Sequence, residues 1–181
     1  MKRALFLDRD GTIIEDPGYL SKVEQIKFLP GVLEKIRILK QKGLLIFIVT
    51  NQSGIGRGYF SESQLMLIHD GLTSMMTKAG AAVDSIAYCP HAPGDKCACR
   101  KPSPQMVVEL AEQFNVDLGE SFFLGDKLSD VLTGKNAGCK TVLILNNKAH
   151  HELCSDDSAL VEPDYVARTP DNALEWVIEN L

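Results

Sequence analysis

ALFLDRDGT, residues 4–12, joins four consecutive apolar side chains to a turn carrying two carboxylates, an arginine and a glycine. A run this short and this apolar predicts a strand covered on both faces, and the charged, glycine-containing stretch after it predicts an abrupt stop. The same succession recurs along the chain, and that recurrence decides the fold. Pro30-Gly31 opens VLEKIRILKQKG, where Val32, Leu33, Ile36 and Leu39 recur at three- and four-residue steps and Gly43 ends the helical pattern. LLIFIVT (44–50) reads as a second buried strand. A helix capped by Ser61 and running to about Ala79, with Gly80 as its stop, precedes a strand SIAYC (85–89). A helix from Ser103-Pro104 to about Phe114, a strand SFFLG (121–125), a helix LSDVLTGKNAG (128–138) and a strand KTVLIL (140–145) continue the alternation. DYVAR (164–168) reads as a short strand and NALEWVIENL (172–181) as a closing helix, with Trp176, Val177 and Leu181 as core packing.

This order predicts an α/β fold: a Rossmann-like parallel sheet flanked by helices, in a single domain over residues 1–181 without linker or repeat. In such folds ligands sit beyond the carboxyl ends of the strands. The residues that follow each strand are therefore the candidates for function.

Composition narrows the classes. The 181 residues are 45% hydrophobic and 24% charged, ordinary for a soluble protein with a proper core. Nineteen basic against 24 acidic residues give a formal charge of −5, which argues against nucleic acid as a partner. A small anionic substrate remains compatible, because local charge in a cleft can oppose the global sign. No apolar stretch has the length of a signal peptide or membrane span, so a cytoplasmic protein with reduced thiols and no membrane partner is expected. Five cysteines, an odd number, fit a disulfide framework poorly. The acidic surface and the absence of an obvious apolar patch make a monomer the expectation.

The strand ends share one chemistry. Asp8-Arg9-Asp10-Gly11-Thr12 follows the first strand, Thr50-Asn51-Gln52-Ser53-Gly54 the second, a cysteine loop ending in Arg100-Lys101 the third, and Gly125-Asp126-Lys127-Leu128-Ser129-Asp130 the fourth. A carboxylate can attack phosphorus and divide one hard displacement into two easier ones. A second carboxylate two positions on can protonate the departing oxygen and then draw a proton from water. Carboxylates facing a phosphate repel it unless a divalent cation bridges them, a role that suits Asp8 and Asp126 and the oxygen preference of Mg2+. A threonine hydroxyl, backbone N–H groups and a lysine would hold the phosphoryl oxygens. Taken singly, DxDGT is also an Asp/Gly turn and GDKLSD an N-capped helix; their meeting at one rim favours function.

DxDGT, Thr50, a lysine ahead of the fourth strand and GDxxxD after it resemble the haloacid dehalogenase (HAD) superfamily of phosphotransferases, over residues 4 to about 145. The resemblance implies Asp8 as nucleophile, Asp10 as general acid/base, and Thr50 and Lys101 as stabilisers of the phosphoryl group. It implies Mg2+ held by Asp8, the Asp10 backbone and Asp126, with Asp130 supporting the metal indirectly. DPGYL (16–20), TNQSGIGRG (50–58), the cysteine loop and GDKLSD are further similar to the D-glycero-D-manno-heptose 1,7-bisphosphate 7-phosphatases, which remove the 7-phosphate during assembly of the lipopolysaccharide heptose precursor. Histidinol-phosphate phosphatases share the loop and are the alternative, and the five residues between His91 and Cys97 are similar to that branch. Resemblance also implies a small phosphorylated sugar as substrate, met by Asp16, Gly18, Tyr19, Asn51, Gln52, Ser53, Arg57, Arg100 and Lys127. The short gaps after the first two motifs imply a nearly capless site.

CPHAPGDKCACRKP, residues 89–102, places Cys89, His91, Cys97 and Cys99 in a loop rich in Pro, Gly and charge. Four such ligands are the closed set of a structural zinc. A disulfide would leave His91 unexplained. Ordering the loop costs about 1–2 kcal/mol per residue in backbone entropy, which Zn2+ binding can offset, and a fixed loop would deliver Arg100 and Lys101 to the rim. Cys139 reads as a packed residue, Cys154 carries no assignment, and His150-His151 reads as a surface pair. A phospho-aspartate signalling domain would use similar residue types, but its aspartate follows a central strand, whereas Asp8 follows the first.

Overall fold

In the computed structural model, which describes residues 1–145 and 162–181, six strands form one parallel sheet in the order β3-β2-β1-β4-β5-β6. Strand β1 is Ala4–Leu7, β2 Leu45–Asn51, β3 Ser85–Cys89, β4 Phe122–Gly125, β5 Lys140–Ile144 and β6 Tyr165–Ala167. The helices are α1 Val32–Gln41, α2 Ser53–Gly56, α3 Glu62–Lys78, α4 Gln105–Phe114, α5 Leu128–Ala137 and α6 Pro170–Glu179. The parallel α/β architecture expected from the alternation is present. His150, His151 and Cys154 lie outside the described residues.

Alternate side chains of a strand point to opposite faces, so a sheet covered on both sides needs apolar residues at every position. Leu5 and Leu7 of β1, Ile46 and Ile48 of β2, and Phe122 and Leu124 of β4 share a core with α1, α3 and α6. Ala4 and Phe6, Phe47 and Val49, and Phe123 turn the other way and pack with α4. Phe6 stacks between Phe47 and Phe123 at centroid distances of 5.3 and 6.4 Å. This two-sided burial is the physical reason for the uninterrupted apolar runs.

Local signals set the helix ends. Ser61 and Gln64 exchange reciprocal hydrogen bonds at the start of α3, Gln64 N–H donating to Ser61 Oγ at 3.2 Å and Ser61 N–H to Gln64 Oε1 at 2.8 Å. Helix α6 begins two residues before the expected Asn172, because Thr169 accepts from Asn172 N–H at 3.2 Å and Pro170 fits the first turn. The one-turn α2 and a 3-10 turn at Val23–Gln25 are too short to leave a period in the sequence. Between β1 and α1 a small flap forms, with Ile14 bridged antiparallel to Phe28 and Glu15 N–H donating to Lys27 O at 2.9 Å. Its tip is a turn in which Gly18, at φ +84°, donates its N–H to Asp16 Oδ1 at 2.9 Å.

The chain lays β1, β2 and β3 side by side in one direction, then returns to place β4 on the other side of β1. The loops after β1 and β4 therefore part, and a crevice opens between them at the switch point. Among the described residues, no helix is long and apolar enough to cross a membrane.

Candidate active site

Asp8 leaves β1 with its own N–H still donating to Leu124 O of β4 at 3.0 Å, so the sheet ladder itself places its carboxylate. It is 3% exposed. Lys101 Nζ lies 2.8 Å from Asp8 Oδ1 and 2.6 Å from Asp130 Oδ1, and donates to Val49 O at 2.8 Å. Lys127 Nζ lies 3.5 Å from Asp8 Oδ2 and 3.4 Å from Asp126 Oδ1. Burial alone would raise Asp8, but Lys101 and Lys127 outweigh it and hold the carboxyl below the usual carboxylate range. Burial likewise opposes the charge on Lys101 and is overcome by Asp130 and Asp8, which raise it.

Asp10, two residues on, is pushed the opposite way. Burial raises it and Asp8 adds to that, while Arg9 and Gln52 only partly compensate. Two neighbouring carboxyls are thus pushed in opposite directions, Asp8 toward the ionised form and Asp10 toward the protonated one. The Arg9 fork grips both Asp10 oxygens at 2.9–3.2 Å, and Gln52 Nε2 donates to Asp10 Oδ2 at 3.0 Å and to Thr50 Oγ1 at 2.8 Å. The buried Thr50 hydroxyl accepts from Gln52 and keeps its own proton to donate.

Asp126 follows β4, and burial drives it up to about 6, with Asp8 and Asp130 adding to the rise and Lys127 opposing it. Oxygens of Asp8, Asp126 and Asp130 all lie within 4.8 Å of one another. Three carboxylates facing two ammonium groups leave this buried cluster one positive charge short. A hard divalent cation fits an all-oxygen, electron-rich site of this kind. Two glycines let the carboxylates come this close. A Cβ at Gly11, whose φ is +81°, would stand 2.3 Å from Asp126 Oδ2, and one at Gly125 would stand 2.3 Å from Asp130 Oδ2. Asp130 also accepts from Lys127 N–H at 3.1 Å, capping α5.

Asn51, at the end of β2, grips the peptide of Lys101 at both ends. Its Oδ1 accepts from Lys101 N–H at 3.1 Å and its Nδ2 donates to Lys101 O at 3.3 Å. A cleft of about 390 Å³ is lined by Asp8, Asp10, Thr50 and Lys101 together with Asp16, Gly18, Tyr19, Asn51, Ser53, Arg100 and Lys127. Gln52 and Arg57 are not among its walls: Gln52 is buried behind Asp10 and Thr50, and Arg57 is exposed beyond α2. Ser129 lines the cleft without having been singled out; its place in the first turn of α5, inside GDKLSD, was the available signal.

Cys89 closes β3, and His91, Cys97 and Cys99 return to it from the loop. Cys89 Sγ is 3.0 Å from Cys99 Sγ, 3.7 Å from Cys97 Sγ and 3.5 Å from His91 Nδ1, which is 3.3 Å from Cys99 Sγ. No disulfide joins these cysteines. Four soft donors converging from an exposed loop fit a single soft ion. Arg100 is tied to the same loop, its Nη1 donating to His91 O at 3.1 Å. Lys101 has separate anchors in Asn51, Val49, Asp8 and Asp130, so the cysteine loop alone does not place both cations. Cys139 packs against the α4 side of the sheet, where burial pushes its thiol up to about 12.

Comparison with known proteins agrees with this arrangement. The HAD-hydrolase-like family model matches residues 98–172. The D-glycero-beta-D-manno-heptose-1,7-bisphosphate 7-phosphatase of Pasteurella multocida is 43% identical, covering 82% of this chain and 84% of its own. The D-glycero-alpha-D-manno-heptose-1,7-bisphosphate 7-phosphatase of Campylobacter jejuni is 40% identical over 81% of this chain and 84% of its own. The crystal structure of D,D-heptose 1,7-bisphosphate phosphatase from B. bronchiseptica, complexed with magnesium and phosphate, is 34% identical, covers both chains in full and superposes with a TM-score of 0.89. The chain belongs to the D,D-heptose 1,7-bisphosphate 7-phosphatase family of the HAD superfamily.

Proposed function

We propose that this chain hydrolyses the 7-phosphate of D-glycero-D-manno-heptose 1,7-bisphosphate through an aspartyl-phosphate on Asp8, in assembly of the heptose precursor of lipopolysaccharide. The observation that carries it is the opposed state of two neighbouring carboxyls at the switch point: Asp8 held ionised by two lysines, Asp10 raised and gripped by Arg9 and Gln52.

Asp8 attacks phosphorus, the bond from phosphorus to the sugar oxygen breaks, and Asp10 gives its proton to that oxygen. Asp10, now a carboxylate, takes a proton from water as the water oxygen attacks the acyl phosphate, releasing phosphate and restoring Asp8. Lys101 and the Thr50 hydroxyl hold the phosphoryl oxygens while charge moves. Asp8 and Asp126, with the Asp10 backbone, hold Mg2+, and Asp130 supports them by fixing Lys101 and the turn before α5. When bound, the ion offsets repulsion between these carboxylates and the substrate phosphate.

Cys89, His91, Cys97 and Cys99 hold a structural Zn2+ with no open position for chemistry. Arg100, Lys127 and the flap residues Asp16, Gly18 and Tyr19 meet the sugar and its second phosphate in a nearly capless cleft.

Phosphate release with Mg2+ from zinc-replete protein tests the proposal, comparing both anomers of heptose 1,7-bisphosphate with histidinol phosphate. A kcat/KM for one heptose anomer that exceeds histidinol phosphate by orders of magnitude is expected. Preference for histidinol phosphate would sink the sugar assignment, and turnover surviving Asp10→Asn would sink the mechanism.

A further inference from the structure

Arg9 is 1% exposed, and its guanidinium is not part of the cleft wall. All three of its nitrogens are engaged inside the protein. Nε and Nη2 hold Asp10, Nη2 also donates to Gln52 Oε1 at 3.0 Å, and Nη1 meets His69 Nε2 at 3.3 Å. A guanidinium does not give up its proton, so Nη1 is the donor and His69 Nε2 the bare nitrogen of a neutral ring. Burial together with the Arg9 charge depresses His69 to about 3, which keeps the ring neutral over the working range of an enzyme.

His69 sits on the apolar stripe of α3 beside Leu65, Ile68 and Leu72, and is 4% exposed. Its ring stands edge-on to Tyr88 of β3, with centroids 5.6 Å apart. Between helix and strand the ring stands with Nε2 facing Nη1 of Arg9. A bidentate fork fixes the plane of a carboxyl group. Arg9 and Asp10 are neighbours in the chain, however, and by themselves would turn together as a local pair. Gln52, bonded to both, ties that pair to the segment after β2, and the far end of the guanidinium adds a second tie to α3, 60 residues away in sequence.

We propose that His69 is a positioning residue for Asp10, acting through Arg9. It pins the guanidinium so that the fork holds the Asp10 carboxyl where it meets first the leaving oxygen and then water. The inference rests on Asp10 being the general acid/base.

The test exploits leaving groups. A sugar oxygen needs a proton as it departs, whereas p-nitrophenolate does not, and kcat/KM reports the steps up to that departure. In the Mg2+- and Zn2+-loaded enzyme, His69→Leu should lower kcat/KM for heptose 1,7-bisphosphate by about 10- to 100-fold while kcat/KM for p-nitrophenyl phosphate changes by less than about 3-fold. His69→Gln, which again offers an acceptor, should recover most of the loss. Equal losses on both substrates, no loss on either, or a Gln variant no better than Leu would overturn the inference. Should His69→Leu not fold, Arg9→Lys, which keeps the charge without the fork, carries the same two-substrate comparison: a loss confined to the sugar phosphate supports the inference, and equal losses or none overturn it. Asp10→Asn, assayed alongside, separates the two claims: if it spares the sugar phosphate, the acid/base assignment itself fails.

Discussion

Two groups of ligating side chains stand near one rim and are built on opposite plans. Asp8 and Asp126, at the ends of β1 and β4, and Asp130, in the first turn of α5, are buried and already paired with Lys101 and Lys127. Cys89, His91, Cys97 and Cys99 converge across a loop whose residues 93–96 are exposed, and only Cys89 belongs to a strand. The sheet ladder, two glycines and ion pairs hold the first group in place. The second has, among the described residues, no opposite charge to hold it: Cys89, Cys97 and Cys99 touch the α4-side core, and the four donors face one another. In the function proposed above, an ion in the first group would act on the substrate and an ion in the second on the chain.

Removing Asp8, the proposed nucleophile, should separate the two groups most sharply. Asp8→Asn should lower kcat by at least about 10⁴-fold, with the zinc content of the purified protein unchanged. Phosphate release and metal analysis read both, and a variant that lost its zinc would break the distinction. Next, Lys101→Met should cost about 10²–10³ in kcat. In the presence of a Mg2+ chelator it should also lose about 3 kcal/mol or more of stability, since Asp8 and Asp130 are then buried without their shared cation. Denaturant midpoints check this, and an unchanged midpoint would show that the carboxylates are not held by that lysine.

A smaller effect probes the buried support behind Asp10. His69 is depressed to about 3 in the fold and titrates near 6.5 in the unfolded chain, so below pH 6.5 the unfolded state binds more protons. Stability therefore falls as pH drops from 6.5 toward 3, by about 2 kcal/mol on reaching pH 5. Urea unfolding of the wild type and His69→Gln at pH 7 and pH 5 should show that excess loss in the wild type alone; equal losses would contradict the burial of a neutral ring. The smallest effect concerns the loop. Cys97→Ser should raise KM by about tenfold and change kcat by less than about threefold, because Arg100 hangs on His91 O whereas Lys101 is anchored elsewhere. A dominant fall in kcat would mean that the loop positions Lys101 after all.

The strands were legible because they are short apolar runs closed by polar, glycine- or proline-containing turns, and the rim residues were legible because they follow those runs. The order of strands was not, since nothing local to β4 says on which side of β1 it returns. Gln52 was legible as a rim residue but not in its direction. It adjoins Thr50 and Asn51 in sequence, yet its amide turns inward to Asp10 while Asn51 turns to Lys101. His69 carried no signal at all: a lone histidine among the apolar positions of a helix has the same spacing whether or not an arginine waits behind it. The Cys/His group was legible in full as a set, because all its members fall within eleven residues.

The grip of Asn51 on both ends of the Lys101 peptide bears on how chains of this kind diversify. A lysine moored to β2 keeps its address whatever segment delivers it, so the stretch upstream is free to lengthen, shorten or exchange its cysteines without displacing the charge at phosphorus. That peptide is a splice point: new recognition loops can be grafted ahead of it, and selection can try substrates while the reaction continues to run.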